Sequence, residues 1–216
     1  MPKVYVRLVL LPLTLFAAAL VLMRSQHYDD HDLRQLLRTD GCPAPCFMGI
    51  RPGVTTVEEA VNLLGESGWV DQIERNETTI SWSWNGQQPP FIDVLQRPHM
   101  NFSKGQPDTE TISEIIIPTQ TPIGSIMLMM SNPETFMVLR DSENHGMISE
   151  VTYVSLRYSD LLVEGNTFCP SQVHDVLHRK AVVTFYNYRD ATFYLGERLW
   201  DNKHFILALQ DPLNCH

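Results

Sequence analysis

The sequence predicts an α+β fold, with an N-terminal transmembrane helix followed by short helices packed on antiparallel sheet. Three observations lead to this prediction. The chain begins with a basic and then strongly apolar segment that ends at Met23. The rest alternates between segments with helical periodicity and segments in which every second residue is apolar. A short helix followed by several strands occurs twice, about 65 residues apart, which divides the chain into two tandem αβββ units.

Residues 1–24 are predicted to be a membrane anchor or signal segment, because Lys3 and Arg7 precede a long apolar run. A helix over residues 4–23 has the roughly 20 residues that a bilayer core requires. Ala17–Ala19 offers a cleavage site, but cleavage there would leave apolar Leu20–Met23 as a new terminus, so an uncleaved anchor is favoured. The charge distribution then places the N-terminus in the cytoplasm and the C-terminal domain outside it. Secretion after signal cleavage is the alternative.

Charge excludes one class of partner. The chain has a net charge of −9, and all 25 acidic residues but only 13 of the 16 basic residues lie after residue 24. Binding to nucleic acid requires clustered lysine and arginine, and the sequence has no such cluster. An apolar content of 44% is that of a folded domain. The sequence therefore predicts a folded, acidic domain that does not bind nucleic acid.

Four cysteines are the disulfide candidates: Cys42, Cys46, Cys169 and Cys215. An even number of cysteines in an oxidising compartment predicts two disulfides, and three connectivities are possible. We favour Cys42 with Cys46 and Cys169 with Cys215, because the second bridge would tie the C-terminus to the body of the domain. Closing that loop of about 45 residues would stabilise the fold by about 3–4 kcal/mol.

The first half of the exported chain is predicted to contain a stalk and one α+β unit. Residues 25–41 form a polar juxtamembrane stalk with leucines at helical spacing. The first α+β unit covers residues 42–118, and its helix is capped at Thr55 or Thr56 and ends at Gly65. Strands are predicted over residues 69–75, 78–84, 90–96 and 111–117, because apolar and polar residues alternate between turn-forming residues.

The second α+β unit covers residues 119–216. An apolar helix is predicted over residues 123–130, followed by strands over residues 136–139, 148–158 and 161–163. A further helix begins near Pro170 and ends at Arg179, and a last strand covers residues 181–188. We therefore expect antiparallel sheet with one face covered by helices.

No catalytic, cofactor-binding or metal-binding residue is predicted. The sequence lacks the G-x-S-x-G, G-x-G-x-x-G and P-loop motifs. His174 and His178 have the spacing of two ligands on one helix face, but no third ligand can be named, so a solvated helix face is favoured. Cys42 and Cys46 form a C-x3-C motif similar to that of membrane-tethered copper chaperones of the Sco type, whose thiolates suit Cu(I). The polar segment before Cys42 differs from the buried strand that a thioredoxin-like domain would place there.

The segment from Cys46 to Ala60, CFMGIRPGVTTVEEA, resembles the opening of uncharacterised bacterial membrane-anchored proteins with a P-C-[FW]-x-G-I-x-P-G-x-T motif. From Ile50 to Gly65 the chain is also similar to the start of the SmpA/OmlA (BamE-type) domain and its β-lactamase-inhibitor-like relatives. That resemblance implies short helices on one face of an antiparallel sheet. Two features depart from it: no lipidated cysteine follows the N-terminal segment, and the chain is longer than one such domain.

These observations predict a non-enzymatic protein that binds or scaffolds at the cell envelope. It would be held in the membrane through residues 4–23, and its exposed sheet or loop surfaces would contact an envelope protein, a lipid or a glycan. The alternative is a membrane-tethered thiol-redox or copper-handling protein that uses Cys42 and Cys46.

Overall fold

The computed structural model of the protein describes residues 12–14, 16–18, 41–103, 110–130, 133–141, 151–159, 161–168 and 173–187. Within these ranges the chain forms three named helices and eight strands. The helices are α1 (Val57–Glu66), α2 (Ile123–Met129) and α3 (Val173–Leu177). The strands are β1 (Val70–Arg75), β2 (Thr79–Trp84), β3 (His99–Phe102), β4 (Ile112–Pro122), β5 (Thr135–Asp141), β6 (Val151–Tyr158), β7 (Leu161–Phe168) and β8 (Lys180–Tyr186).

The eight strands belong to one antiparallel sheet, in the order β1-β2-β3-β4-β8-β7-β6-β5. β4 and β8 meet in its centre, where Ile115 pairs with Phe185 and Ile117 pairs with Val183. The predicted fold, a transmembrane helix followed by two tandem αβββ units, is therefore wrong. The physical reason is that the four paired side chains are all buried in a single core. Pairing β4 with β8 removes more apolar surface from water than two separate sheets, each with one of these strands at its edge, would remove.

The N-terminal unit, Met1–His31, is described only at residues 12–14 and 16–18, which are helical. No helix in the described part of the chain is both long and apolar enough to cross a membrane. The predicted single-pass anchor over residues 4–23, with a cytoplasmic N-terminus, is therefore wrong. Secretion after signal cleavage stays a prediction, and the predicted stalk lies outside the described residues except for Gly41.

Helix α1 begins where the sequence predicted a cap. The Thr56 Oγ1 accepts a hydrogen bond from the Glu59 backbone N–H at 3.3 Å, and the Glu59 carboxylate accepts one from the Thr56 N–H at 3.0 Å. These two bonds form a capping box, which satisfies two backbone donors that the first turn leaves without partners. Accepting the Thr56 N–H also lowers the pKa of Glu59. The predicted helix is therefore confirmed, with its apolar side facing the core through Val57, Ala60 and Leu64.

Helix α2 packs closely on its neighbours at two glycines, where a larger residue would force nearby atoms to move. A Cβ added at Gly165 in β7 would overlap the Cδ1 of Ile123, and one added at Gly124 would lie 3.1 Å from the backbone oxygen of Leu177. Ile123 is fully buried, and its N–H donates to the Arg179 oxygen at 2.9 Å. The absence of side chains at the two glycines therefore sets how closely α2 approaches β7 and α3.

Strand β2 shows the alternation predicted from the sequence over its first four residues, since Ile80 and Trp82 are buried and Thr79 and Ser81 are half-buried. The predicted strand at residues 90–96 is wrong. These residues form the loop between β2 and β3, and only Ile92 makes a strand-like bridge, to Thr119. Two adjacent prolines, Pro89 and Pro90, stand at the start of the segment and cannot donate to a ladder, and the loop instead turns the carboxylate of Asp93 inward.

The strands predicted at residues 136–139, 148–158 and 161–163 correspond to β5, β6 and β7, which form an antiparallel meander. β7 is longer than predicted and continues through Glu164, Gly165 and Asn166 to Phe168. Three polar or small residues in succession conceal the strand from a search for alternating apolar residues. Helix α3 ends at Leu177, two residues before the predicted end at Arg179.

Candidate binding groove

Cys42 and Cys46 are joined by a disulfide, with Cα atoms 6.1 Å apart. Cys46 is 3% exposed, whereas Pro43 and Ala44 between the two cysteines are exposed. This is one of the two bridges favoured from the sequence, and the residues of the other, Cys169 and Cys215, lie outside the described residues. The bridge closes a small surface loop immediately before residues 47–50.

Residues 47–50 form a tight two-residue turn. The Phe47 N–H donates to the Ile50 oxygen at 3.0 Å, and the Ile50 N–H donates to the Phe47 oxygen at 2.8 Å. The two central residues, Met48 and Gly49, have φ values of 52° and 83°. Positive φ at both central positions is what a type I′ hairpin turn requires, and glycine adopts it without steric cost. The turn therefore buries Phe47 and Ile50 and leaves Met48 and Gly49 on the outer side.

An aromatic cluster anchors this turn in the core. The Phe47 ring lies 5.7 Å from that of Phe185 in β8 and 6.4 Å from that of Trp82 in β2, measured between centroids. Trp82 in turn makes an edge-to-face contact with Trp84 at 5.7 Å. Phe47, Trp82 and Phe185 are all buried. Because the turn is held by a bridge on one side and by packed rings on the other, the position of Met48 is fixed.

The end of α1 places another tryptophan, Trp69, near Met48. The Ser67 hydroxyl donates to the Leu64 oxygen at 2.7 Å and accepts the Trp69 N–H at 3.4 Å. Gly68 between them has a φ of 71°, which reverses the chain direction after the helix. The Trp69 backbone oxygen accepts the Asn85 N–H at 2.8 Å, so Trp69 is fixed to the sheet as well as to the helix end.

A shallow groove lies between the turn and the end of α1. It has a volume of about 240 Å³ and is lined by Met48, Leu63, Glu66, Ser67 and Trp69. We call these five residues the Met48 groove. Met48, Leu63 and Trp69 are half-buried, so each presents apolar surface to solvent. Gly49 has no side chain and so leaves the Leu63 side chain uncovered on this side. A Cβ at position 49 would lie 3.6 Å from the Leu63 side chain, in van der Waals contact with it.

The rim of the Met48 groove is acidic. Glu66 is exposed in the last turn of α1, and Asp71 is exposed two residues after Trp69. Neither carboxylate has an ion-pair partner among the described residues. Glu74, by contrast, accepts two hydrogen bonds from Arg97 at 2.6 and 3.2 Å, which lower the pKa of Glu74. Glu66 therefore adds an uncompensated negative charge to the lining of the groove, and Asp71 adds a second one on strand β1, which begins directly after Trp69.

Asp93 and Lys180 form an ion pair that fixes two parts of the fold and does not form a binding site. Asp93, 2% exposed, accepts a hydrogen bond from the Leu95 N–H at 3.0 Å and pairs with the Lys180 ammonium at 3.2 Å. Because both carboxylate oxygens are used, Asp93 fixes the loop between β2 and β3 to the start of β8. Sequence analysis missed this pair, because its members are 87 residues apart.

Glu164 is the carboxyl group with the clearest raised pKa among the described residues. Burial is the main cause, and the nearby charge of Glu114 adds to it, while a hydrogen bond donated by Ser155 at 2.8 Å acts in the opposite direction. Glu164 lies on β7 and Ser155 opposite it on β6. Burial within this strand pair therefore explains the raised pKa of Glu164.

The residues considered as metal ligands are not brought together. His174 lies in α3, and His178 directly follows the end of that helix and is exposed. In the part of the chain that the structure describes, no group of three or more His, Cys, Asp or Glu residues could hold a metal ion. The cysteines of the C-x3-C motif are bridged, so they offer no thiolate in this state.

Sequence analysis did not identify the Met48 groove. One signal was present: Met48-Gly49 between two apolar residues is typical of a two-residue turn, and such a turn exposes its central side chains. Leu63 and Trp69 carried no signal of their own. Comparison of the chain with protein family models, with curated proteins and with solved structures finds no match. The resemblances described from the sequence therefore stay predictions.

Proposed function

We propose that the protein is a non-enzymatic binding protein that holds an apolar side chain of a partner protein in the Met48 groove. The observation that carries the proposal is the groove itself. Two rigid parts of the fold, the bridged turn and the end of α1, present Met48, Leu63 and Trp69 to solvent around one depression. Methionine and tryptophan are enriched in the cores of protein interfaces, and tryptophan is enriched at their hot spots.

The size of the groove supports a side chain as its occupant. Its volume of about 240 Å³ is below the roughly 300–1,000 Å³ of sites that enclose a small molecule. A groove that is open to solvent would also leave much of a cofactor exposed. A single apolar side chain, supplied by a partner whose surface covers the rim, fits both the volume and the openness. A protein is therefore favoured over a lipid or a glycan.

The disulfide supports a structural role for the C-x3-C motif. Copper handling and thiol exchange both require a thiolate, and in this structure both sulfurs are used in the bridge. Cys46 is also buried, and it immediately precedes Phe47, the residue that anchors the turn in the aromatic cluster. Holding Met48 in position is a function that the oxidised pair can perform without any redox step.

The test is a selection of binders from a random-peptide display library by the full chain. Two variants serve as probes. Leu63→Glu places a charge in the groove, and Leu128→Glu places the same charge at a side chain that is 90% exposed on α2. We expect selected peptides that contain an apolar residue and that bind Leu128→Glu as tightly as the natural chain.

We expect the same peptides to bind Leu63→Glu at least about tenfold more weakly, since burying one apolar side chain contributes more than 1.4 kcal/mol. Thermal unfolding of both variants confirms that each is folded. Peptides that bind both variants equally would contradict the proposal. The proposal would also be contradicted if the natural chain bound phosphatidylcholine vesicles or immobilised glycans and if Leu63→Glu, but not Leu128→Glu, abolished that binding.

A further inference from the structure

Strand β1 is an edge of the sheet and pairs only with β2. The register of that pair determines which backbone groups face outward. The Asn76 N–H donates to the Thr79 oxygen at 2.8 Å, so Asn76 and Thr79 form a hydrogen-bonded pair. In an antiparallel ladder such pairs occur at every second residue, and Glu74 opposite Ser81 is therefore the next hydrogen-bonded pair. The N–H and C=O groups of Ile73 and Arg75 therefore point away from β2. No described strand pairs with them on that side.

The outward-facing part of β1 is short. The register shifts between Val70 and Ile73, and the Gln72 N–H donates to the Ser83 hydroxyl at 3.3 Å rather than to a backbone oxygen. Such a bulge interrupts regular pairing at a sheet edge. An added strand could thus use about three residues of β1, roughly 10 Å of backbone. This is too little for stable strand addition alone, so a second anchor is needed.

The Met48 groove lies where that second anchor would have to be. Trp69, which lines the groove, is the residue immediately before Val70, the first residue of β1. A chain that pairs with Ile73 and Arg75 and continues past the bulge reaches the groove within a few residues. The edge supplies hydrogen bonds to the backbone of the bound chain, and the groove supplies a pocket for one of its side chains.

Charge defines the occupant further. Glu66 and Asp71 flank this path and have no ion-pair partner among the described residues, whereas Arg75 is paired with Glu110 at 2.8 Å. We infer that β1 binds an extended, basic segment of a partner protein, which adds as a strand and places one apolar side chain in the Met48 groove. This inference rests on the proposed function and specifies the conformation and charge of the partner.

The experiment uses the synthetic peptide acetyl-KVKLKVK-amide, in which lysines alternate with apolar residues. The full chain is labelled with ¹⁵N and with ¹³C at the methionine methyl groups and titrated with the peptide. We expect changes at the Met48 methyl group and at the amides of Ile73 and Arg75. We expect acetyl-EVELEVE-amide to bind at least about tenfold more weakly, because two lost charge contacts are replaced by repulsion.

Backbone methylation of the peptide tests strand addition without changing the protein. In a strand, alternate N–H groups point to opposite sides, so two peptides are made that are N-methylated on the odd or on the even residues. We expect one of them to lose at least about tenfold in affinity and the other to bind like the parent. On the protein, Asp71→Asn should weaken binding, and Glu58→Gln, an exposed charge in the first turn of α1, should leave it unchanged.

The outcomes separate this inference from the proposed function. Changes at Met48 without changes at Ile73 and Arg75, together with equal binding of the two N-methylated peptides, would overturn strand addition and leave groove binding intact. No change at Met48 with any of the peptides would overturn both. Equal binding of the lysine and glutamate peptides would overturn the requirement for a basic partner.

Discussion

Replacing Phe47 tests whether the bridged turn is truly anchored in the core. The side chain is 0% exposed and lies between the rings of Trp82 and Phe185. Phe47→Ala removes the ring and leaves a cavity between two side chains that belong to different strands. Substitutions of this kind in a core lower the free energy of unfolding by about 3–5 kcal/mol. We therefore expect a loss within that range.

Phe47→Leu separates the volume of the ring from its aromatic contacts. Leucine restores most of the volume, which limits the packing cost to less than about 1.5 kcal/mol. The two ring pairs, each worth about 0.5–1.5 kcal/mol, are still lost. We therefore expect Phe47→Leu to cost about 1–4.5 kcal/mol, and less than Phe47→Ala because leucine fills part of the cavity.

Urea unfolding followed by near-UV circular dichroism measures both values, since that signal depends on the packing of the tryptophans. Val54→Ala is the control, because Val54 is exposed and the change should cost less than about 0.5 kcal/mol. A cost below about 1 kcal/mol for Phe47→Ala would refute the reasoning, since it would mean that the turn is not packed on β2 and β8. Equal costs for the two Phe47 variants would show that the volume restored by leucine contributes nothing, whereas a cost near zero for Phe47→Leu would show that the ring contacts contribute nothing.

Three further results are expected. Cys42→Ala combined with Cys46→Ala should lower the free energy of unfolding by about 2 kcal/mol, the loop-closure term for so short a loop, and a loss above about 4 kcal/mol in urea unfolding would contradict that origin. Gly165→Ala should cost more than 1 kcal/mol because the added Cβ overlaps Ile123, and a thermal midpoint equal to that of the natural chain would refute the close packing of α2. Burial raises the pKa of Glu164, so the folded state binds the proton of this carboxyl group more tightly than the unfolded state does. The resulting contribution to the free energy of unfolding is present below the unfolded pKa and is lost as pH rises through the folded pKa. Glu164→Gln should remove this decline, and unfolding curves with the same pH dependence in both chains would count against the assignment.

The parts of the fold that the sequence predicted depend on local interactions. The cap of α1 is formed by residues three apart, Thr56 and Glu59, so both partners are visible in one short segment. The alternation in β2 is equally local. The pairing of β4 with β8 is not, since it joins residues about 70 positions apart and depends on which apolar faces meet in three dimensions. The prediction of two separate units failed at this long-range step.

The error at residues 90–96 has a different origin. The segment contains β-favouring apolar residues, but its structure is decided by Asp93, whose partner Lys180 is distant in the sequence. A buried carboxylate needs a compensating charge and hydrogen bonds, and the loop provides them while it stays bridged to β4 through Ile92 and Thr119. Local propensity gave no indication of that partner, so a tertiary contact overrode it.

The candidate site could be predicted only in part. The bridge between Cys42 and Cys46 was favoured because the two residues are close in the sequence. The groove that the bridge supports was not, because Leu63 has the periodicity of an ordinary helix residue and Trp69 that of a strand residue. Their common orientation toward Met48 arises from the turn at Gly68 and from the positive φ values of the Met48–Gly49 turn. These backbone conformations become informative only when the three segments are placed together.

The central claim is that the Met48 groove binds an apolar side chain of a partner protein. The most direct test is the affinity of one selected peptide for Leu63→Glu and for Leu128→Glu, measured by isothermal titration with both variants folded. The account predicts a loss of at least about tenfold for Leu63→Glu and no change for Leu128→Glu. Equal affinities for the two variants would contradict it.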